Sequence, residues 1–139
     1  MSKRILITGG GGFIGQYVTR AAQRRGYEVR ILDNFIPQVH GLSCRLSCPD
    51  AEIQIGDICD IEAVTRALQD MDAVIHLAAE VGVGQSMYAI DRYVAVNDLG
   101  TARLLQALTL QPVEKIVVAS SMSIYGEGLY RDLKGQLYE

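Results

Sequence analysis

The chain has no apolar run of membrane-spanning length, no clustered block of lysine and arginine and no even set of cysteines. Each absence removes a class. Without some twenty consecutive apolar residues there is no helix to cross a bilayer. Lys3 and Arg4 lead into a strand-like segment rather than a signal-peptide core. Thirteen basic residues against sixteen acidic ones leave a net charge of -3, and the basic residues are scattered, so nucleic acid is not the expected partner. Cys44, Cys48 and Cys59 make an odd count that suits reduced thiols and a cytoplasmic location. His40, Cys44 and Cys48 are evenly spaced but lack a second cysteine pair and a fourth ligand, so no metal site is expected. The three prolines, Pro37, Pro49 and Pro112, fall where a connection or a helix end is read below. A chain of 139 residues with 49% hydrophobic and 21% charged residues suits one globular domain with a substantial core.

What is present begins with glycine. Residues 8–15 read Thr-Gly-Gly-Gly-Gly-Phe-Ile-Gly, directly after the apolar run Ile5, Leu6 and Ile7. Phe13, Ile14, Val18, Ala21 and Ala22 then recur at helical spacing, and Gly26 follows Arg24 and Arg25 as a stop. A strand therefore feeds a glycine turn that opens a helix. Glycines permit the tight bend and a close approach of backbone to phosphate, while the helix start offers unpaired N–H groups and the positive dipole end. Gly10, Gly12 and Gly15 fit one dinucleotide pattern, and Gly9, Gly12 and Gly15 fit a related one; the spacing leaves both open. A second strand over 28–32 ends in Asp33, eighteen residues after Gly15, where a carboxylate can accept hydrogen bonds from an adenosine ribose.

The remainder alternates in the same way. Residues 34–50 carry Pro37, Gly41 and Pro49 with no sustained period and read as a surface connection with room for a short helix. A third strand over 52–55 precedes Gly-Asp-Ile at 56–58. Asp60 caps a helix with an apolar face of Ile61, Val64, Ala67 and Leu68. Residues 73–77 form a fourth strand, residues 87–110 a long helix with Leu104, Leu105 and Leu108 on one face, and residues 116–119 a fifth strand. Such alternation predicts a Rossmann-like α/β fold, a doubly wound parallel sheet in three α/β/α layers, with Thr8, Asp33, Asp57, Ala78 and Ser120 at the ligand-bearing carboxyl edge.

The assembled motifs resemble the extended short-chain dehydrogenase/reductase family of NAD-dependent nucleotide-sugar epimerases and dehydratases. They are the glycine motif at 8–15, Leu-Asp-Asn at 32–34, Gly-Asp-Ile at 56–58, His-Leu-Ala-Ala at 76–79, Val-Asn-Asp-Leu-Gly-Thr at 96–101, and Ser-Ser-Met-Ser-Ile-Tyr-Gly at 120–126. Residues 37–41, 79–88 and 121–128 are further similar to a subgroup of dTDP-L-rhamnose 4-epimerases or of general NAD-dependent epimerase/dehydratases. The resemblance implies that Gly9, Gly12, Phe13, Ile14 and Gly15 meet the pyrophosphate of NAD, and that Asp33 and Asn34 meet the adenosine ribose. Asp57 and Ile58 would flank adenine, Leu77, Ala78 and Ala79 would pass beneath the cofactor, and Asn97 would stand near the active site. Asp33, with no arginine over 34–36 to offset it, favours NAD over NADP.

Ser121 matches the family's catalytic hydroxyl. Met122 and Ser123 stand where dehydratases of the family place Asp and Glu, so the resemblance favours an epimerase acting on a dTDP- or UDP-sugar over a dehydratase. Tyr130 and Lys134 have the spacing of the family's Tyr-x-x-x-Lys pair but arrive only nine residues after Ser121, much earlier than the family places that helix. Residues 1–139 are accordingly expected to be an NAD-binding Rossmann domain that is incomplete at its C-terminus, without the family's substrate-binding region. Turnover by this polypeptide alone is not expected, an exposed edge at the last strand is, and a homodimer through the flanking helices is compatible with the family. A non-catalytic NAD-binding module and an inactive truncation product remain open beside the epimerase.

Overall fold

The computed structural model describes residues 2–41, 50–126 and 128–138. Five parallel strands form the main sheet: β1 (Arg4–Thr8), β2 (Glu28–Asp33), β3 (Glu52–Ile55), β4 (Ala73–His76) and β5 (Lys115–Val118), in the order β3-β2-β1-β4-β5. In-register pairing puts Ile7 between Ile31 and Ile75, and Thr8 between Leu32 and His76. Because all strands run the same way, their carboxyl ends share one edge, and the strand order reverses between β1 and β4. Ligands of open α/β sheets bind at that reversal.

Strand side chains alternate between the two faces. Leu6, Leu32 and Val74 point one way and pack with Ile58, Val64, Ala67, Leu68, Leu104 and Ala107. Ile5, Ile7, Val29 and Ile31 point the other way, against Val18 and Ala22. The first layer belongs to helices α3 (Ile61–Leu68) and α6 (Thr101–Leu110), the second to α1 (Phe13–Arg24). Asp60 caps α3 by accepting the Glu62 N–H at 2.9 Å. Arg30 closes its other end, donating to the carbonyls of Ala67 at 2.9 Å and Gln69 at 2.8 Å. A guanidinium on the last carbonyls of a helix meets unsatisfied acceptors and the negative end of the dipole.

The helical stretch expected over 87–110 is interrupted. Short helices α4 (Val83–Ser86) and α5 (Ile90–Tyr93) precede a π-helical segment, Val94–Gly100, which runs directly into α6. The wider turn resets the helical phase. Leu104 and Ala107 are buried, whereas Leu105 is 48% exposed, so the expected face of Leu104, Leu105 and Leu108 is corrected to Leu104, Ala107 and Leu108. Ile61, expected on the apolar face of α3, is 40% exposed because it stands at the first position of the helix, beyond the sheet. The expected connection over 34–50 contains one short helix, α2 (Pro37–His40). Cys44 and Cys48 of the evenly spaced His-Cys-Cys set lie outside the described residues.

Beyond β5, a single 3-10 turn (Met122–Tyr125) leads to an antiparallel hairpin of β6 (Tyr130–Arg131) and β7 (Leu137–Tyr138). Among the described residues β5 pairs only with β4, and Ile116, Val117 and Val118 are exposed. The edge expected at the last strand is therefore present.

Candidate cofactor site

The carboxyl edge at the β1/β4 reversal is built around Gly9. Its φ of +69° lies in the left-handed region, and a Cβ there would stand 2.6 Å from the Ala78 nitrogen and 2.8 Å from its Cα. The glycine turn and the chain leaving β4 touch backbone to backbone, so glycine is required both for conformation and for space. Gly15 meets a similar constraint, since a Cβ would fall 2.4 Å from the Gly9 carbonyl oxygen. That contact seats the first turn of α1 directly on the bend. Gly12 precedes α1 in extended conformation without a side-chain cap, and no acidic residue lies in the first turn. The free N–H groups and positive dipole end of a twelve-residue helix therefore face the edge, with Phe13 and Ile14 exposed beside them. Such a helix start can hold a phosphate without a basic side chain.

Asp33 ends β2 next to this bend, with its side chain only 6% exposed. Oδ2 accepts the Gly11 N–H at 2.9 Å, and Oδ1 accepts the Phe35 N–H at 2.8 Å. His40 Nε2, from the end of α2, stands 3.3 Å from the same Oδ1. Two backbone N–H groups thus converge on this carboxylate, the kind of donor that suits an anionic oxygen. Asn34 and Asp57, one strand further out, are brought together: Asn34 Nδ2 donates to Asp57 Oδ2 at 2.9 Å. Burial pushes the Asp57 carboxyl up, but the Cys59 N–H and the Asn34 amide on its oxygens outweigh burial and hold it below its ordinary value. Burial and the nearby Asp57 charge push the Cys59 thiol up.

Ile58 faces inward. It is 5% exposed within the core, and a Cβ on Gly100 of the π-helical segment would be 2.8 Å from its Cγ2. The side chain therefore packs between the sheet and the π-helical segment.

A polar chain runs beneath the edge on the α6 face. Thr101 Oγ1 donates to the Asn97 carbonyl at 2.6 Å, so its single hydrogen is engaged and His76 Nε2, 3.0 Å away, must donate to it. Burial lowers the pKa of His76 and favours the neutral ring, so Nδ1 accepts from the Thr8 hydroxyl at 2.6 Å. Thr8 in turn accepts the Ala78 N–H at 3.3 Å. This assigns the His76 tautomer and ties the ends of β1 and β4 to α6. Asn97 extends the tie by clasping the Glu80 backbone, accepting its N–H at 2.8 Å and donating to its carbonyl at 3.1 Å. Glu80 meets Arg92 of α5 at 2.7 Å. The segment through Leu77, Ala78 and Ala79 is thus pinned at both ends.

Ser121 lies just beyond β5 on the same edge, where its Oγ accepts the Ser123 N–H at 3.0 Å and starts the 3-10 turn. Tyr130 and Lys134 do not share a helix. Tyr130 opens β6, and Lys134 sits in the hairpin turn, where Asp132 Oδ1 accepts its N–H at 2.8 Å. Their four-residue spacing therefore does not bring phenol and amine onto one face. Thr8 stands at the edge where it was expected, whereas His40, His76 and Thr101, though inside matched motifs, carried no assigned role, and Phe35 carried no signal of its own.

Comparison with known proteins accounts for this arrangement. The family model described as "NAD dependent epimerase/dehydratase family" matches residues 5–136. The chain is 37% identical over 141 residues to the dTDP-L-rhamnose 4-epimerase of Burkholderia thailandensis, an alignment that takes in 97% of this chain and 39% of that protein. It is 34% identical over 131 residues to the dTDP-glucose 4,6-dehydratase of Streptomyces niveus, covering 88% of this chain and 39% of that one. The structure superposes on the UDP-glucose 4-epimerase of Brucella ovis in complex with NAD with a TM-score of 0.78 and 29% identity, over 91% of this chain and 38% of that one. The chain thus spans about two fifths of the length of these relatives. With a parallel sheet, a glycine turn at its reversal and a match along nearly its whole length, this chain belongs to the NAD-dependent epimerase/dehydratase family, and its cofactor is NAD.

Proposed function

We propose that the chain is the NAD-binding portion of a nucleotide-sugar epimerase working by transient oxidation at sugar C4 and return of the hydride to the opposite face. The observation that carries this reading is the placement of the Asp33 carboxylate under the glycine turn, beside the Gly9–Ala78 contact at the strand reversal. NAD supplies a reversible hydride acceptor. The chain's own residues bind and orient it. Gly9, Gly12, Phe13, Ile14 and Gly15 hold the pyrophosphate at the start of α1, Asp33 and Asn34 hold the adenosine ribose, and Asp57, kept ionised by its donors, accepts from the adenine amino group. Leu77, Ala78 and Ala79 form the floor that Asn97 keeps in place.

Ser121 is assigned to the substrate oxygen undergoing oxidation, on the strength of its place beyond β5 at the same edge. Met122 and Ser123 follow it, neither able to serve as the carboxylic acid and base that elimination of water requires, which favours epimerisation over dehydration. Tyr130 and Lys134 are not assigned as the acid–base pair, because the hairpin separates them.

Titration calorimetry with NAD tests the first part. Saturable binding is expected, and its absence at millimolar cofactor would overturn the reading. Incubation with NAD and a panel of dTDP- and UDP-sugars tests the second. An epimeric product supports it, a 4-keto-6-deoxy sugar would replace it with a dehydratase, and firm NAD binding without any product would leave a non-catalytic NAD-binding module.

A further inference from the structure

Asp33 is surrounded more closely than recognition of a ribose requires. A carboxylate offers about four lone-pair positions, two on each oxygen. On Oδ1 the Phe35 N–H takes one, and His40 Nε2 stands against that oxygen at 3.3 Å and crowds its other side; on Oδ2 the Gly11 N–H takes one. The imidazole is held there by design of its surroundings. The His40 side chain is 6% exposed, and its ring meets that of Phe35 with centroids 5.1 Å apart. Phe35 adopts a φ of +50°, a left-handed conformation that a bulky side chain rarely takes and that turns the chain back over the glycine bend. Gly11 makes room for both rings, since a Cβ would fall 2.6 Å from Phe35 Cε1 and 3.1 Å from His40 Cε1. Gly11 does not have a positive φ, so its lack of a side chain answers to these rings rather than to the backbone.

We propose that His40 is a specificity-determining residue of the cofactor site: by standing against Oδ1 of Asp33 the buried imidazole screens that oxygen and leaves Oδ2 as the open acceptor, so that one of the two adenosine ribose hydroxyls is recognised and the other is not. The inference rests on Asp33 being the ribose carboxylate. His40 then sets how strictly the ribose is read, and Phe35 and Gly11 hold it in place.

The test is calorimetric titration of the 139-residue chain with ADP-ribose and with its 2′-deoxy and 3′-deoxy adenosine analogues. Loss of one hydrogen bond to a charged acceptor weakens binding by about tenfold. Wild type is expected to lose about that factor with one analogue and less than about twofold with the other. His40→Ala frees Oδ1 and should lose about tenfold with each analogue, while His40→Gln keeps an N–H at similar reach and should retain the one-sided pattern. Phe35→Gly, which suits the left-handed backbone and removes the ring holding the imidazole, serves if His40→Ala does not fold and should shift the pattern in the same direction. Wild type losing affinity with both analogues, or a folded His40→Ala keeping the one-sided pattern, overturns the proposal while saturable ADP-ribose binding leaves the cofactor site standing. No saturable binding of ADP-ribose by wild type would overturn both.

Discussion

The Thr8 hydroxyl donates to Nδ1 of His76 across 2.6 Å, joining the last residue of β1 to the last residue of β4 at the reversal of strand order. Through Thr101 and Asn97 the same ring connects the chain leaving β4 to the helix beneath it. Every hydrogen in the chain has one direction, and the direction depends on a neutral imidazole.

Acid should therefore loosen the fold. Burial lowers the pKa of His76 from its ordinary value near 6.5. The unfolded chain takes up the proton first, so the stability contributed by neutral His76 is complete above the unfolded value and is lost as pH falls through the folded one. Urea midpoints measured from pH 8 down to pH 5 should fall below about pH 6.5. His76→Gln, which cannot titrate, should be less stable at pH 8 yet show a shallower decline; an unchanged slope would remove His76 as the source.

Gly9→Ala should cost at least about 1–2 kcal/mol from the left-handed backbone alone. Contact with the Ala78 backbone adds to it. Gly26→Ala, also left-handed but with nothing within 4 Å of the added methyl, is the control that isolates the crowding. Chemical denaturation of the two variants should rank Gly9→Ala as the more damaging, and NAD binding should fail only there.

Asn97→Ala removes both hydrogen bonds to Glu80. A loss of about 1–3 kcal/mol is expected, from two partners left unmet in a half-buried place. Hydrogen exchange should quicken at the Glu80 amide more than at β1. Equal acceleration throughout would mean a global rather than a local effect.

On the proposed reading, with Asp33 facing the adenosine ribose, Asp33→Asn removes the carboxylate that would repel a 2′-phosphate. NAD should bind more weakly while NADP gains relative to it, read as a ratio of dissociation constants by calorimetry. A ratio unmoved by the substitution would place the discrimination elsewhere.

Leu104→Ala should destabilise by about 2–5 kcal/mol, as a fully buried leucine. Leu105→Ala, half exposed, should change stability by no more than about 0.5 kcal/mol. Thermal unfolding of the pair checks the phase of α6 directly.

That last contrast marks where reading by pattern stops. Leu104 and Leu105 are adjacent and identical in composition, and a regular helical period does not anticipate the π turn at Val94–Gly100 that decides which of them faces the sheet. The burial of Ile58 was not legible for a related reason, because Gly100 presents the surface it packs against from more than forty residues away in the chain.

Features carried by neighbours in the chain were legible without any coordinates: apolar strands, the glycine bend, Asp33 after the second strand, the cap at Asp60, and from their order the parallel sheet. Each depends on local backbone preference or on alternation over a few residues, and both are written in adjacent letters. His40 on Asp33, His76 between Thr8 and Thr101, and Asn97 on Glu80 came from folding alone. Their partners lie seven to sixty-eight residues apart, and a hydrogen bond at 3 Å depends on how helices seat on the sheet, a matter of packing that no short pattern records.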